Sequence, residues 1–81
     1  MQYLYFPRQN DKTLACILPL GNAEGVARII TVIENYTMTV LWNVGEHYTT
    51  VKVFGLGEID EYNDYFRRLA KELGAKNVDL F

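Results

Sequence analysis

Cys16 and His47 are the only thiol and the only imidazole in the chain. A thiolate activated by a neighbouring imidazole is therefore the one nucleophilic dyad these residue types allow. There is no serine at all, so serine nucleophiles and the nucleophile elbow are excluded. No phosphate-binding loop of the Gly-x-x-x-x-Gly-Lys type occurs. The strands that would carry Cys16 and His47 read as antiparallel neighbours. His47 opens its strand beside residues 18–20, and Cys16 lies several residues away at about 3.3 Å per step, so direct contact is not expected. One His and one Cys also lack any metal-ligand spacing.

Glu58, Asp60, Glu61 and Asp64 form the densest acidic group. They lack the loop spacing and the glycine of a calcium loop. An acid-rich first turn of a helix accounts for them through the helix dipole. Gly55-Leu56-Gly57 precedes that helix. The rest of a Gly-x-Gly-x-x-Gly fingerprint is missing, and Glu58 would repel a phosphate there. His47 to Phe54 reads His-Tyr-Thr-Thr-Val-Lys-Val-Phe, without the basic, glycine and alternating aromatic positions of an RNA-binding sheet. Net charge is −2, the isoelectric point is near 5.2, and Arg67-Arg68 is the only adjacent basic pair. Nucleic-acid backbone binding rests on clustered Lys and Arg, so it is not expected. These residues predict a protein that is not an enzyme and carries no metal or cofactor.

The elements that position these residues follow from pattern. Residues 1–81 suffice for one domain, and at 49% hydrophobic and 22% charged the chain is globular. Residues 2–6 are β-prone and end at Pro7; Asn10-Asp11 signals a turn; residues 13–18 read as a second strand. Asn22 suits a helix N-cap. Val26, Ile29, Ile30 and Ile33 follow at helical spacing, although β-branched residues crowd the segment. Residues 37–44 and 46–54 form a hairpin with Gly45 in the turn. Ile59, Tyr62, Phe66, Leu69 and Leu73 trace one face of a further helix, with an Asp64–Arg68 pair four residues apart and Gly74 as its stop. Residues 77–81 read as a short strand or tail.

A faint repeat at an offset of 36 residues reinforces this order. It sets Tyr3-Leu4-Tyr5-Phe6 on Thr39-Val40-Leu41-Trp42, Ala15-Cys16-Ile17-Leu18 on Val51-Lys52-Val53-Phe54, and Val26, Ile30 and Ile33 on Tyr62, Phe66 and Leu69. The implied unit is strand-strand-helix, used twice. The predicted fold is α+β and ferredoxin-like: an antiparallel sheet with two helices on one face, permuted as ββαββα, and an extra terminal strand. Residues 2–6 and the C-terminal segment compete for the place beside residues 13–18, and the loser must sit further out.

Leu18-Pro19-Leu20-Gly21-Asn22, running into Val26–Ile33, resembles the strand-to-helix turn of ACT-type amino-acid-sensing domains. The resemblance covers element order from Thr13 to Leu80. It implies a small ligand held at a dimer edge near Gly21, Asn22 and Gly25.

Sheet parity gives the sharpest functional expectation. Polar Thr50 and Lys52 predict that Val51 and Val53 face the helices, and the repeat then sends Ala15 and Ile17 the same way. The other face carries Tyr3, Tyr5, Leu14, Cys16, Leu18, Leu41 and Phe54. That set is too apolar for a solvated sheet face. The expectation is a small non-enzymatic interaction or inhibitor module, a homodimer or one covered by a protein partner, joined through this Tyr-rich face. An accessory protein of a virus or mobile element has such a profile. One cysteine cannot form an internal disulfide, no leader precedes Tyr3, and no apolar run approaches the roughly 20 residues of a membrane span, so the expected setting is cytoplasmic.

Overall fold

The computed structural model describes residues 2–10, 12–21 and 25–78. It is an α+β fold of one six-stranded mixed sheet and, among the described residues, one helix. The strands are β1 (Tyr3–Phe6), β2 (Cys16–Pro19), β3 (Arg28–Glu34), β4 (Thr37–Val44), β5 (His47–Gly55) and β6 (Lys76–Asn77), with α1 (Ile59–Leu73) between the last two. The sheet order is β5-β4-β3-β2-β1-β6. The first five strands make an antiparallel meander, and β6 pairs parallel to β1 at the far edge.

This parallel pair explains α1. Chain leaving β5 at one edge must reach β6 at the other. Five inter-strand gaps of about 4.8 Å come to roughly 24 Å. The 15 residues of α1 extend roughly 22 Å at 1.5 Å each. The helix is therefore as long as the sheet is wide. Its start packs on β5, through Phe54 against Tyr62 at 5.7 Å between ring centroids, and its middle on β1, through Tyr5 stacked on Phe66 at 6.4 Å. Gly74 ends it at φ 65, with Gly74 N–H donating to Lys71 O and Ala75 N–H to Ala70 O. That double bond from a left-handed glycine is a Schellman stop.

The helix expected over Val26–Ile33 is strand β3. The repeat, the permuted ferredoxin-like order and the second helix are corrected together. Ile29, Ile30, Thr31, Val32 and Ile33 are consecutive β-branched residues, whose stiff χ1 suits a pleated surface. A run that is apolar on both sides satisfies helical spacing by accident. Asn35 and Tyr36, at φ 52 and 62, close the β3–β4 hairpin in two residues. Positive φ at both central positions is the type I′ geometry that matches strand twist. The ACT-like order falls with the same helix. Gly21 and Gly25 lie in an exposed connection that leads into a strand, and Asn22 lies outside the described residues. Of the two segments competing for β2, β1 holds the place, while β6 sits outside it and Val78 N–H extends the pairing to Tyr5 O at 2.8 Å. Asp79 to Phe81, the rest of the expected tail, lie outside the described residues.

Tyr5, Ala15, Ile17, Ile29, Met38, Val40, Phe54, Tyr62, Phe66 and Ala70 form the core. Each large apolar side chain fully buried there contributes about 1.5–3 kcal/mol. β2 and β3 share a single bridged pair, Ile17 with Ile29. At the next same-face positions, Ala15 and Thr31, the ladder opens and the Tyr62 hydroxyl enters. It accepts the Ala15 N–H at 2.9 Å and lies 2.6 Å from Thr31 Oγ1, which donates to Ala15 O at 3.0 Å. With the threonine proton so committed, Tyr62 donates to Thr31. Burial pushes the Tyr62 phenol above its ordinary pKa, with the hydrogen bonds to Thr31 and Ala15 opposing the rise.

Candidate interaction surface

Pairing register determines which residues share each face. Tyr5 pairs with Ile17, Ile17 with Ile29, and Ile29 with Trp42, all on the side that α1 covers. Alternation sends the intervening residues to the opposite side. Leu4 beside Leu18 and Phe6 beside Cys16 lie there. Ile30 beside Leu41, and the row Val32–Thr39–Val53, continue the surface across the sheet. Tyr48, opposite Asn43, closes it near the β4–β5 turn.

This assignment changes the predicted set. Cys16, Leu18 and Leu41 lie on the uncovered face. Tyr5 and Phe54 do not: both are buried beneath α1. Tyr3 packs against the same core, and Leu14 is a half-buried residue ahead of β2. The parity of β5 is also corrected, because Val53 faces away from the helix and Lys52 faces its side. The cause is a bulge. Val40 pairs with Lys52 but Leu41 with Thr50, so Val51 is an extra residue and the alternation resets. Lys52 stays hydrated at the sheet edge, its ammonium 5.7 Å from the Phe54 ring centroid. The uncovered face is thus mainly aliphatic, with Phe6 and Tyr48 as its aromatic residues among the described ones.

The features first considered for chemistry are held apart. β3 and β4 separate Cys16 on β2 from His47 on β5, so these strands are not neighbours. Three strand spacings put those strands about 14 Å apart, before the offset along them is added. Burial raises the Cys16 thiol pKa. Asp64 pairs with Arg67, three residues on, instead of Arg68. Glu58 folds back so that its carboxylate accepts the Gly55 N–H at 2.8 Å. The Gly55 N–H is thus already taken by a side chain of the same turn. Among the described residues no group of three or more His, Cys, Asp or Glu is placed to hold a metal ion, and no helix is long and apolar enough to cross a membrane.

Two further features went unread in the sequence. Ile30, Val32 and Val53 belong to the uncovered face, hidden by the helical reading of β3 and by the bulge. Tyr36 stands at a hairpin tip with 85% of its surface exposed; an Asn followed by one residue between two β-rich runs was the available signal.

Comparison with known proteins finds no matching family model, no matching curated protein and no matching solved structure.

Proposed function

We propose that the chain is a small non-enzymatic interaction module that pairs with a second copy of itself through the uncovered sheet face. The observation that carries this is the apolar surface running from Leu4 and Leu18 through Ile30 and Leu41 to Val53, which no described element covers. Val32 is 38% exposed and Val53 51% exposed. Contiguous apolar surface of this kind marks a contact site.

Charge favours a second copy as the occupant. Arg28 and Glu34 lie at opposite ends of β3 on this same face, and neither has an ion-pair partner among the described residues. Two sheets stacked face to face about a two-fold axis, with their β3 strands antiparallel, bring Arg28 of each toward Glu34 of the other. Such a stack is the aligned packing of a β-sandwich, with the two apolar faces about 10 Å apart. A reducing, cytoplasmic setting suits the free Cys16 within that interface. Inhibitor and accessory proteins, including those of viruses and mobile elements, use surfaces of this type.

Sedimentation velocity over a range of concentrations tests the reading. The expected result is reversible association that Val53→Lys weakens at least tenfold, with unchanged far-UV circular dichroism. Val53 and Val32 are exposed in the monomer, so Val53→Lys and Val32→Lys both preserve folding. Association unaffected by Val53→Lys and by Val32→Lys overturns the sheet-face dimer.

A further inference from the structure

The sheet ends on two unequal edges. β6 is two residues long, while β5 runs nine residues at the opposite edge, with His47 to Val53 all exposed. An edge strand carries unpaired N–H and C=O groups along its outer side, and these are a template for another strand. The composition of β5 suits such pairing: Tyr48, Thr49, Thr50, Val51 and Val53 are β-prone, and no proline interrupts them. The edge that matches β5 in length is the β5 of a second copy, laid antiparallel about a two-fold axis.

Two features in the middle of β5 oppose that pairing. Val51 is the extra residue of the bulge, between Thr50 opposite Leu41 and Lys52 opposite Val40. A bulge bends its strand and increases the twist, so the outer backbone groups no longer form one regular row. The core has no need of it: Val51 is 40% exposed and lies outside the core cluster. Pairing has no need of it either. Thr50 and Lys52 already face opposite sides, as neighbours in a regular strand do. Beside the bulge stands Lys52, the only lysine or arginine in the strand. Its ammonium lies 5.7 Å from the Phe54 ring centroid, on the flank that an added strand would crowd and dehydrate. In an antiparallel pair centred on the bulge, the Lys52 side chains of both copies lie close to the dyad, where like charges repel.

We infer that the Val51 bulge and Lys52 together guard the β5 edge, closing it to strand addition by a second copy. The guard is independent of the sheet-face pairing. Sedimentation velocity and amide hydrogen exchange on the full chain test it in a Val32→Lys background, where the sheet face is blocked two strands away from the edge. The Val32→Lys chain is expected to gain no amide protection in β5 as its concentration rises. Deletion of Val51 combined with Lys52→Thr should associate at least tenfold more tightly, with exchange newly slowed in β5 and far-UV circular dichroism unchanged. Lys52→Thr alone keeps the bulge and every pair of the strand. It should shift association the same way by a smaller factor, and it decides the test if the deletion does not fold. The guard is overturned if the Val32→Lys chain already associates through β5, if neither variant associates, or if association leaves the β5 amides unprotected. Association gained by the deletion variant and not by Lys52→Thr alone overturns the part given to Lys52. The sheet-face dimer is judged separately, by the effect of Val32→Lys on the otherwise unaltered chain.

Discussion

The phenol oxygen of Tyr62 lies 2.6 Å from Thr31 Oγ1, at the point where the β2–β3 ladder parts. Helix α1 is joined to the sheet there by hydrogen bonds as well as by packing. The Ala15 N–H, which has no strand partner at that position, is satisfied by a side chain 47 residues away in sequence. Tyr62→Phe keeps the ring and removes the acceptor. The Ala15 amide is then buried and unpaired, at a cost of about 1–3 kcal/mol. Urea unfolding should show a lower midpoint with an unchanged slope. Thr31→Val removes the other half of the ring of bonds and should fall in the same range. The double variant should lose less than the sum of the two, since the pair acts as a unit.

The same hydroxyl makes stability depend on pH. The folded-state pKa of Tyr62 is raised, chiefly by burial, and burial also raises those of Tyr5 and Tyr65. Above the ordinary tyrosine value, about 10, the unfolded chain releases phenol protons that the folded chain retains. The folded state then binds more protons, so stability falls as pH rises. The contribution is complete below that value and is lost as pH climbs through the raised folded-state values. Stability measured by urea between pH 9 and 11 should decline, and Tyr62→Phe should decline less steeply. An equal slope in both proteins would show that the Tyr62 phenol has the same pKa folded and unfolded.

Two positions with nearly equal φ should respond oppositely to substitution. Tyr36 at φ 62 is a bulky residue in a conformation glycine adopts without strain, while Gly74 at φ 65 is already a glycine. Tyr36→Gly should stabilise the fold by up to about 1 kcal/mol, limited by the greater freedom glycine gives the unfolded chain. Gly74→Ala should destabilise it by about 1 kcal/mol, although no neighbouring atom lies within 4 Å of the added methyl. Thermal melts of the two variants on either side of the parent would support the strain argument. Shifts in the same direction would refute it.

Local chemistry was legible where one residue type dictates one conformation. Gly45 marked the β4–β5 turn, Gly74 ended α1, and the spacing from Ile59 to Leu73 traced the helix face that is buried through Tyr62 and Phe66. What misled was an apolar segment without contrast. Ile29 to Ile33 supply both faces of a central strand, so neither period stands out, and the β-branched composition was the better guide than spacing. The false helix then carried the repeat and the sheet order with it. On β5 the face assignment failed at one residue. Val51 is the bulge, and a single extra residue inverts the parity of everything beyond it. Phe54 was thereby placed outside, although it meets Tyr62 in the core. Tyr5, on β1 and away from the bulge, was placed outside by the false repeat that set it on Leu41, whereas its pairing with Ile17 turns it toward Phe66. No pattern in one strand reveals a bulge that only pairing with β4 defines.

Cys16 offers a chemical probe of the uncovered face, since it lies there beside Phe6. Its thiol is half-buried, and burial raises its pKa, so the thiolate fraction at pH 8 is below that of a free cysteine. Reaction with an aromatic disulfide reagent should be slow in the monomer. Stacking a second sheet on the same face should slow it further, because the reagent must then wait for dissociation. The rate should fall as protein concentration rises, and Val53→Lys, which faces the same way two strands beyond Ile30, should remove that dependence. Tyr36→Gly should leave it in place, since the hairpin tip is remote from Cys16 in the sheet register. A rate that is the same at every concentration in the parent protein would mean that Cys16 is never covered, and the sheet face would then need a different occupant.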